Sequence, residues 1–179
     1  FSYFKPHVNL KDTRVLEAGC GLGGGTLFYS EQECESITGV DVVEHIPRPI
    51  VAVSLKECKR VLKENGRLCI SFPPWSYIYA AHLDEYIGIP WCHLIFSSNT
   101  LVNVLRSMNP HERFGELSEI EHFQELSRVS IKEFKDHIHN LQFKVIHFSL
   151  RMIMNQKLLY YIPFLNTYLT SRVIAILSK

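Results

Sequence analysis

Residues 15–25 constrain this chain more than any other part of its sequence. An apolar run ends in the carboxylate Glu17, and a loop with five glycines in seven positions follows it. Glycines let backbone amides approach a ligand closely, and a helix that opens after such a loop adds the partial positive charge of its N-terminus. The stretch therefore predicts a strand, loop and helix that hold a small ligand on the turn.

The charge beside the loop indicates what kind of ligand this is. Gly19, Gly21 and Gly24 satisfy the G-x-G-x-x-G spacing of dinucleotide-binding proteins, which by itself is weak evidence. Glu17 lies two residues before the first glycine, where its carboxylate would repel a pyrophosphate. The acid favours a ligand that carries positive charge, and a nicotinamide-dependent oxidoreductase remains the alternative.

The same loop resembles the first motif of the class I S-adenosylmethionine-dependent methyltransferases, small-molecule type. That motif reads acid-x-Gly-x-Gly-x-Gly, and Glu17, Gly19, Gly21 and Gly23 fill it. The resemblance implies S-adenosylmethionine as cofactor and a small-molecule acceptor, such as a sugar or a lipid-linked precursor. A noncatalytic partner protein that keeps the pocket is a second alternative. The cofactor-binding residues that the resemblance implies are Glu17, Gly19, Cys20, Gly21, Gly23, Asp41, Glu44 and His45.

Composition narrows the class of protein further. A chain of 179 residues with 46% hydrophobic and 21% charged residues can build one sizeable core, so we expect a single domain over 1–179. The net charge of +1 gives no nucleic-acid signature. Five scattered cysteines predict reduced thiols, a cytoplasmic setting and no metal site. Because the chain begins with Phe1, we expect that residues precede it.

Membrane contact is not expected. No apolar run is long enough to span a bilayer, and no signal peptide is recognisable. The apolar segment 158–165 is best explained by packing between the last two strands. The partner that the resemblance implies is a small-molecule substrate.

Hydrophobic periodicity gives an α/β order of elements. The pattern predicts strands over 13–17, 36–41, 67–72, 143–150 and 171–177, and helices over 26–32, 49–64 and 130–140. Asn65 and Gly66 are expected to end the second helix, and Ser130 with Glu133 to form a capping box at the start of the third. This order predicts a doubly wound, mostly parallel sheet of the methyltransferase type with antiparallel C-terminal strands.

The junction of Asp41 and Val42 does not fit that order. Strand 36–41 resembles the family's second strand, whose terminal acid binds the ribose, and Asp41 follows Gly19 by 22 residues. Residues 42–46 resemble the segment after the fourth strand, which lies on the other side of the first. Parallel crossovers need about a dozen residues, so we expect part of the sheet to be missing near 41–42. Asp41 can belong to either side, and the offset favours the ribose role.

Histidines supply the candidate catalytic groups. Methyl transfer needs a general base only when the acceptor is a weakly acidic hydroxyl or amine. His45, His82 and His93 are the candidates, of which His45 and His82 are predicted as catalytic; a structural role for His45 beside the cofactor is the alternative. Segment 75–128, rich in aromatic residues at its start, is predicted as a substrate lid, with a loop that packs its own rings as the alternative.

Overall fold

The computed structural model describes Phe4 and residues 15–18, 34–108, 118–153 and 163–179. The predicted helix 26–32, the loop glycines and most of segment 158–165 lie outside these ranges. The strands are β1 (Val15–Ala18), β2 (Cys34–Val40), β3 (Leu62–Phe72), β4 (Lys144–Met152) and β5 (Thr170–Ser178). The helices are α1 (Arg48–Val61), α2 (Cys92–Ile95), α3 (Ser98–Met108), α4 (Glu119–Glu125), α5 (Ile131–Asn140) and α6 (Pro163–Leu169).

The strands form one mixed sheet in the order β1-β2-β3-β5-β4. β2 pairs in parallel with β1 and β3, whereas β5 is antiparallel to both β3 and β4. The α/β class and the antiparallel C-terminal ending are confirmed. Within the described ranges the two kinds of pairing are equally frequent, so this part of the sheet is mixed rather than mostly parallel. The short helix α6 between β4 and β5 was not predicted.

The position of β2 corrects the expectation of a gap at 41–42. β2 lies between β1 and β3, on the side where the resemblance places the fourth strand. The chain passes from it through Asp41 directly into a 3-10 turn over Val43–His45. No crossover is needed, because the strand and the turn are consecutive parts of one unit. The offset argument for a ribose role of Asp41 loses its basis here.

The end of α1 also differs from the prediction. The buried face of this helix carries Val51, Leu55 and Cys58 as expected, but the helix ends at Val61 rather than at residue 64. β3 begins at the next residue, Leu62, which pairs with Cys34 of β2. The next pair is Ser36 with Arg67, so β3 contains more residues than β2 over this stretch. The extra residues of β3 form a wide irregularity in the ladder.

Asn65 and Gly66 shape that irregularity instead of ending the helix. Asn65 adopts the left-handed conformation with φ 63°. Gly66 packs so closely that a Cβ would lie 2.9 Å from the carbonyl oxygen of Lys63 and 3.2 Å from that of Glu35.

Helix α5 begins as predicted, with one difference. Ser130 Oγ accepts a hydrogen bond from the backbone N of Glu133 at 3.1 Å. The carboxylate of Glu133 binds Arg48 instead, at 2.9 and 3.0 Å, so the reciprocal half of the capping box is not formed there. A complete capping box begins α4, where Ser118 and Glu121 exchange both bonds.

Among the described residues there are three buried apolar clusters, and the two larger ones position the candidate site. The larger one packs α1 and α5 against the sheet, with Phe72 and Phe134 edge to face at 4.9 Å between ring centroids. The smaller one joins α3, α4 and the turns before them around Leu83, Leu105 and Phe123. The described parts of this stretch, 75–108 and 118–126, thus build a second core of their own beside the main one.

Candidate functional site at the carboxyl edge of the sheet

The three parallel strands end at one edge of the sheet. Ala18 pairs with Gly39, and Gly39 pairs with Ile70, so the chain leaves β1, β2 and β3 at the same level. Open α/β sheets bind ligands in the crevice outside this carboxyl edge. Glu17 is the penultimate residue of β1, and the glycine loop follows it directly.

Asp41 occupies the turn just past β2. It adopts a left-handed conformation with φ 53°, and its backbone N donates to the carbonyl of Ser71 at 2.8 Å. The guanidinium of Arg172 on β5 donates to both carboxylate oxygens of Asp41, at 2.6 and 3.3 Å. Arg172 also donates to Ser71 Oγ at 3.1 Å. The Asp41 carboxylate is thereby fixed at the edge.

Three histidine rings meet beside this turn and form what we call the histidine cluster: His45, His82 and His122. Their ring centroids lie 5.4 Å apart for His45 and His82, 5.1 Å for His45 and His122, and 5.7 Å for His82 and His122. His45 Nδ1 and His122 Nε2 share a hydrogen bond of 3.1 Å. The cluster brings the two predicted catalytic histidines together.

Glu44 lies buried against the cluster. Its side chain is buried, and neither carboxylate oxygen has a hydrogen-bond partner among the described residues. Its Oε1 is 4.0 Å from His45 Nε2. Burial, with a smaller contribution from the nearby Asp41 charge, raises the pKa of Glu44 to about 8. The carboxyl is therefore largely protonated at neutral pH when nothing is bound.

The histidines of the cluster are neutral at physiological pH. Burial lowers the pKa of His45 and His82, and the neighbouring His82 lowers that of His45 further. Burial and the two other rings lower the pKa of His122 to about 4. Neutral imidazoles keep one nitrogen lone pair each, which can accept a proton or bind a metal.

Separate chain segments position these side chains. The capping box of Ser118 fixes the start of α4, which carries His122. Just beyond α4 the backbone N of Ser127 donates to the carbonyl of Glu44 at 2.8 Å. His82 sits in a turn with φ 54°, and its backbone N donates to Tyr79 at 3.0 Å.

His93, the third candidate base, has a different environment. Its Nε2 hydrogen-bonds to the carbonyl of Trp75 at 2.8 Å, and its ring packs on the Trp75 indole at 4.4 Å. Burial lowers its pKa. This arrangement is that of a packing residue of the second core.

Sequence reasoning missed His122 and could not place the loop. The S-x-x-E pattern of Ser118 and Glu121 announces the helix that carries His122 and would have flagged it. Gly19, Cys20, Gly21 and Gly23 lie outside the described residues, and so does the side chain of Glu17.

Comparisons with known proteins agree on the fold. No protein-family model matches the chain, and no curated protein matches it. Among solved structures, an S-adenosylmethionine-dependent methyltransferase from Mesorhizobium loti is similar at 9% identity and a TM-score of 0.57, covering 99% of this chain and 96% of the other. One from Thermotoga maritima, described as a possible histamine N-methyltransferase, is similar at 11% identity and a TM-score of 0.56, covering 99% and 86%. The chain has the fold of the class I methyltransferases that depend on S-adenosylmethionine.

The helices give no sign of a membrane span. In the part of the chain that the structure describes, none of them combines the length and the apolar character that crossing a bilayer requires.

Proposed function

We propose that the protein transfers a methyl group from S-adenosylmethionine to a small-molecule acceptor. The observation that carries this proposal is the carboxyl edge of the sheet in a chain with the methyltransferase fold. Acidic residues lie at the ends of two neighbouring strands there, and the glycine loop follows the first of these strands. Glu17 is the penultimate residue of β1, just before the glycine loop, and Asp41 lies at the neighbouring strand end.

The charged groups at this edge fit the proposed cofactor. S-adenosylmethionine carries an ammonium and a sulfonium and no phosphate. Acidic side chains and accessible backbone groups therefore suit it better than basic side chains. Arg172, a cation that the structure places here, is already bound to Asp41 at 2.6 Å. A pyrophosphate would meet acids and a neutralised arginine, which argues against a nicotinamide dinucleotide.

We assign the cofactor contacts along this edge. In this proposal Glu17 and the glycine loop, with Gly19, Cys20, Gly21 and Gly23, hold the amino-acid end. Asp41 stays a candidate for the ribose hydroxyls, because the pairing of Ala18 with Gly39 brings the turn at Asp41 beside the start of that loop. Glu44 and His45 line the side on which the methyl group would lie.

The chain's own residues then have two tasks in the reaction. The sulfonium activates the methyl group, so the protein mainly aligns the acceptor for in-line attack and excludes water. In this proposal His45 and His82 accept the proton of a hydroxyl or amine acceptor, because both imidazoles are neutral. The 3.1 Å hydrogen bond between His45 Nδ1 and His122 Nε2 orients the His45 ring for this task.

Segment 75–128 supports a role in acceptor recognition. Both of its ends are anchored near the site, by the bond from Trp75 N to the carbonyl of Val129 at 2.9 Å and by the bond from Ser127 to Glu44. Arg128 lies 5.3 Å over the rings of Trp75 and Phe123, which packs this end of the segment against the second core. In our proposal this segment forms the lid that selects the acceptor.

Methyl transfer from labelled S-adenosylmethionine to a panel of small hydroxyl and amine acceptors tests the proposal. We expect a labelled product with the unmodified protein, and none with Gly21→Arg, whose side chain would fill the loop. Gly88→Ala is the matched control, because a Cβ there meets nothing within 4 Å. Transfer that survives in Gly21→Arg, or no transfer despite cofactor binding, would contradict the proposal, and the second result would indicate a noncatalytic partner protein.

A further inference from the structure

We propose that Glu44, His45 and His82 form a binding site for a divalent transition-metal ion, with Zn²⁺ as its preferred occupant. Each residue offers one ligand atom, and these atoms all lie within 4.8 Å of one another. The inference goes beyond the proposed function and does not need it, since a metal could bind here whatever the protein catalyses.

The ligand types suit zinc. Two imidazole nitrogens and one carboxylate oxygen are the set found in many catalytic zinc sites, in which a fourth position stays open for water or substrate. Imidazole ligands also favour zinc over magnesium, which prefers a shell of oxygen atoms. A carboxylate buried beside two histidines is therefore a better site for a transition metal than for an alkaline-earth ion.

Two of the three ligand residues have buried ligand atoms without a hydrogen-bond partner in the part of the chain that the structure describes. Both oxygens of Glu44 and Nε2 of His82 are buried without a hydrogen-bond partner among the described residues. Buried polar atoms are rarely left in this state, and a bound ion is one of the ordinary explanations. A metal would satisfy all three residues at once.

The remaining histidine supplies the support that metal ligands usually have. When His45 coordinates through Nε2, its Nδ1–H donates to Nε2 of His122, to which it is already hydrogen-bonded at 3.1 Å. Such a bond fixes the tautomer and the orientation of a ligating imidazole. His122 is thus a positioning residue for the site.

The three ligand atoms need to move only a short distance to coordinate an ion. Bonds of about 2.0–2.2 Å to zinc require the ligand atoms to approach by about an ångström. Ligands come from the 3-10 turn and from the turn at His82, and the bond from Ser127 to the carbonyl of Glu44 holds that backbone in place. Side-chain rotation supplies the rest.

Metal binding would change the role of two residues. His45 and His82 would then be ligands rather than proton acceptors, and an acceptor oxygen in the open position would lose its proton to solvent under the influence of the ion. Glu17 and Asp41 would keep their proposed contacts with the cofactor, so the two proposals are compatible.

Calorimetric titration of the metal-free protein with Zn²⁺ tests the site. A Cys20→Ser, Cys34→Ser background removes two thiols whose side chains lie outside the described part of the chain. We expect one ion per chain. Glu44→Gln and His82→Asn should each lower the zinc affinity on the order of 100-fold or more, since the loss of a residue that only supports a ligand already lowers metal affinity by about 10–100-fold. His122→Phe should weaken binding by about 10–100-fold.

The control is His139→Gln, which alters an exposed histidine of α5. It should leave the affinity unchanged, and a visible spectrum with Co²⁺ should show low-symmetry, four-coordinate binding that Glu44→Gln abolishes. Circular dichroism of each variant checks that it folds. Zinc binding that is absent, or that Glu44→Gln and His82→Asn leave intact in folded protein, would overturn the inference, whereas methyl transfer without metal would leave the proposed function standing.

Discussion

Arg172 on β5 reaches past β3 and binds the carboxylate of Asp41 with two hydrogen bonds, 2.6 Å to Oδ1 and 3.3 Å to Oδ2. The antiparallel C-terminal part of the sheet thereby fixes an acid at the carboxyl edge of the parallel part. The side chain of Asp41 remains 46% exposed, so one face of its carboxylate is open to a ligand.

Two substitutions separate the two roles of Asp41. Asp41→Asn and Arg172→Gln both break the ion pair, which should cost about 0.2–1 kcal/mol of unfolding free energy in either case. Asp41→Asn also removes the acceptor proposed for the ribose, which should weaken S-adenosylhomocysteine binding by about 10- to 100-fold. Arg172→Gln should weaken it much less. Equal affinity losses in calorimetry would show that Asp41 acts only through its partner.

Glu17→Gln tests the electrostatic basis of cofactor choice. If its carboxylate faces the sulfonium, the substitution should weaken S-adenosylmethionine more than S-adenosylhomocysteine, which lacks that charge. If it faces the ammonium, both should weaken alike, because both carry it. Either result agrees with an acid that selects a cation, and unchanged or tighter binding of both compounds would contradict it. Titration of the two compounds under the same salt concentration makes the comparison.

Gly66→Ala should destabilise the fold through the irregular start of β3. The added Cβ would lie 2.9 Å from the Lys63 carbonyl and 3.0 Å from Leu62 Cδ2. Relief of these contacts should cost about 1–3 kcal/mol. Gly88→Ala, which meets nothing within 4 Å, should change stability by less than about 0.5 kcal/mol. Denaturant unfolding of both variants measures the difference, and equal stabilities would contradict the packing described here.

The buried thiols should resist alkylation. Cys58, Cys69 and Cys92 are buried free thiols. Burial raises the pKa of Cys58 to about 12 and that of Cys69 to about 11, and the thiolate is the reactive form. Iodoacetamide at pH 7–9 should therefore leave both unlabelled in the native protein and label them in denaturant. Mass spectrometry that finds native and denatured labelling rates equal would contradict this burial.

Local patterns predicted the elements whose signals are complete within a short window. The Ser130 cap, the apolar face of α1 and the two apolar C-terminal strands each depend on neighbours a few residues away, and the structure has them near the predicted positions. Helix α6 was not predicted, because seven residues are too few to show a helical period of apolar residues.

The features that the sequence did not predict depend on contacts between residues far apart in the chain. The place of β2 between β1 and β3, and the end of α1 at Val61, both follow from ladder contacts between distant residues. The histidine cluster is of the same kind, since His45, His82 and His122 come from three separate segments. The position of His45 could be predicted from the strand that precedes it, but its contact with His122 depends on the fold.

A comparison of S-adenosylhomocysteine binding with NAD binding tests whether the glycine loop holds a cationic, phosphate-free cofactor or a dinucleotide. Calorimetric titration of each compound into the unmodified protein and into Gly21→Arg isolates binding at the glycine loop from binding elsewhere. We expect saturable one-to-one binding of S-adenosylhomocysteine that Gly21→Arg abolishes, with no measurable binding of NAD. Tight binding of NAD, together with no affinity for S-adenosylhomocysteine, would contradict it.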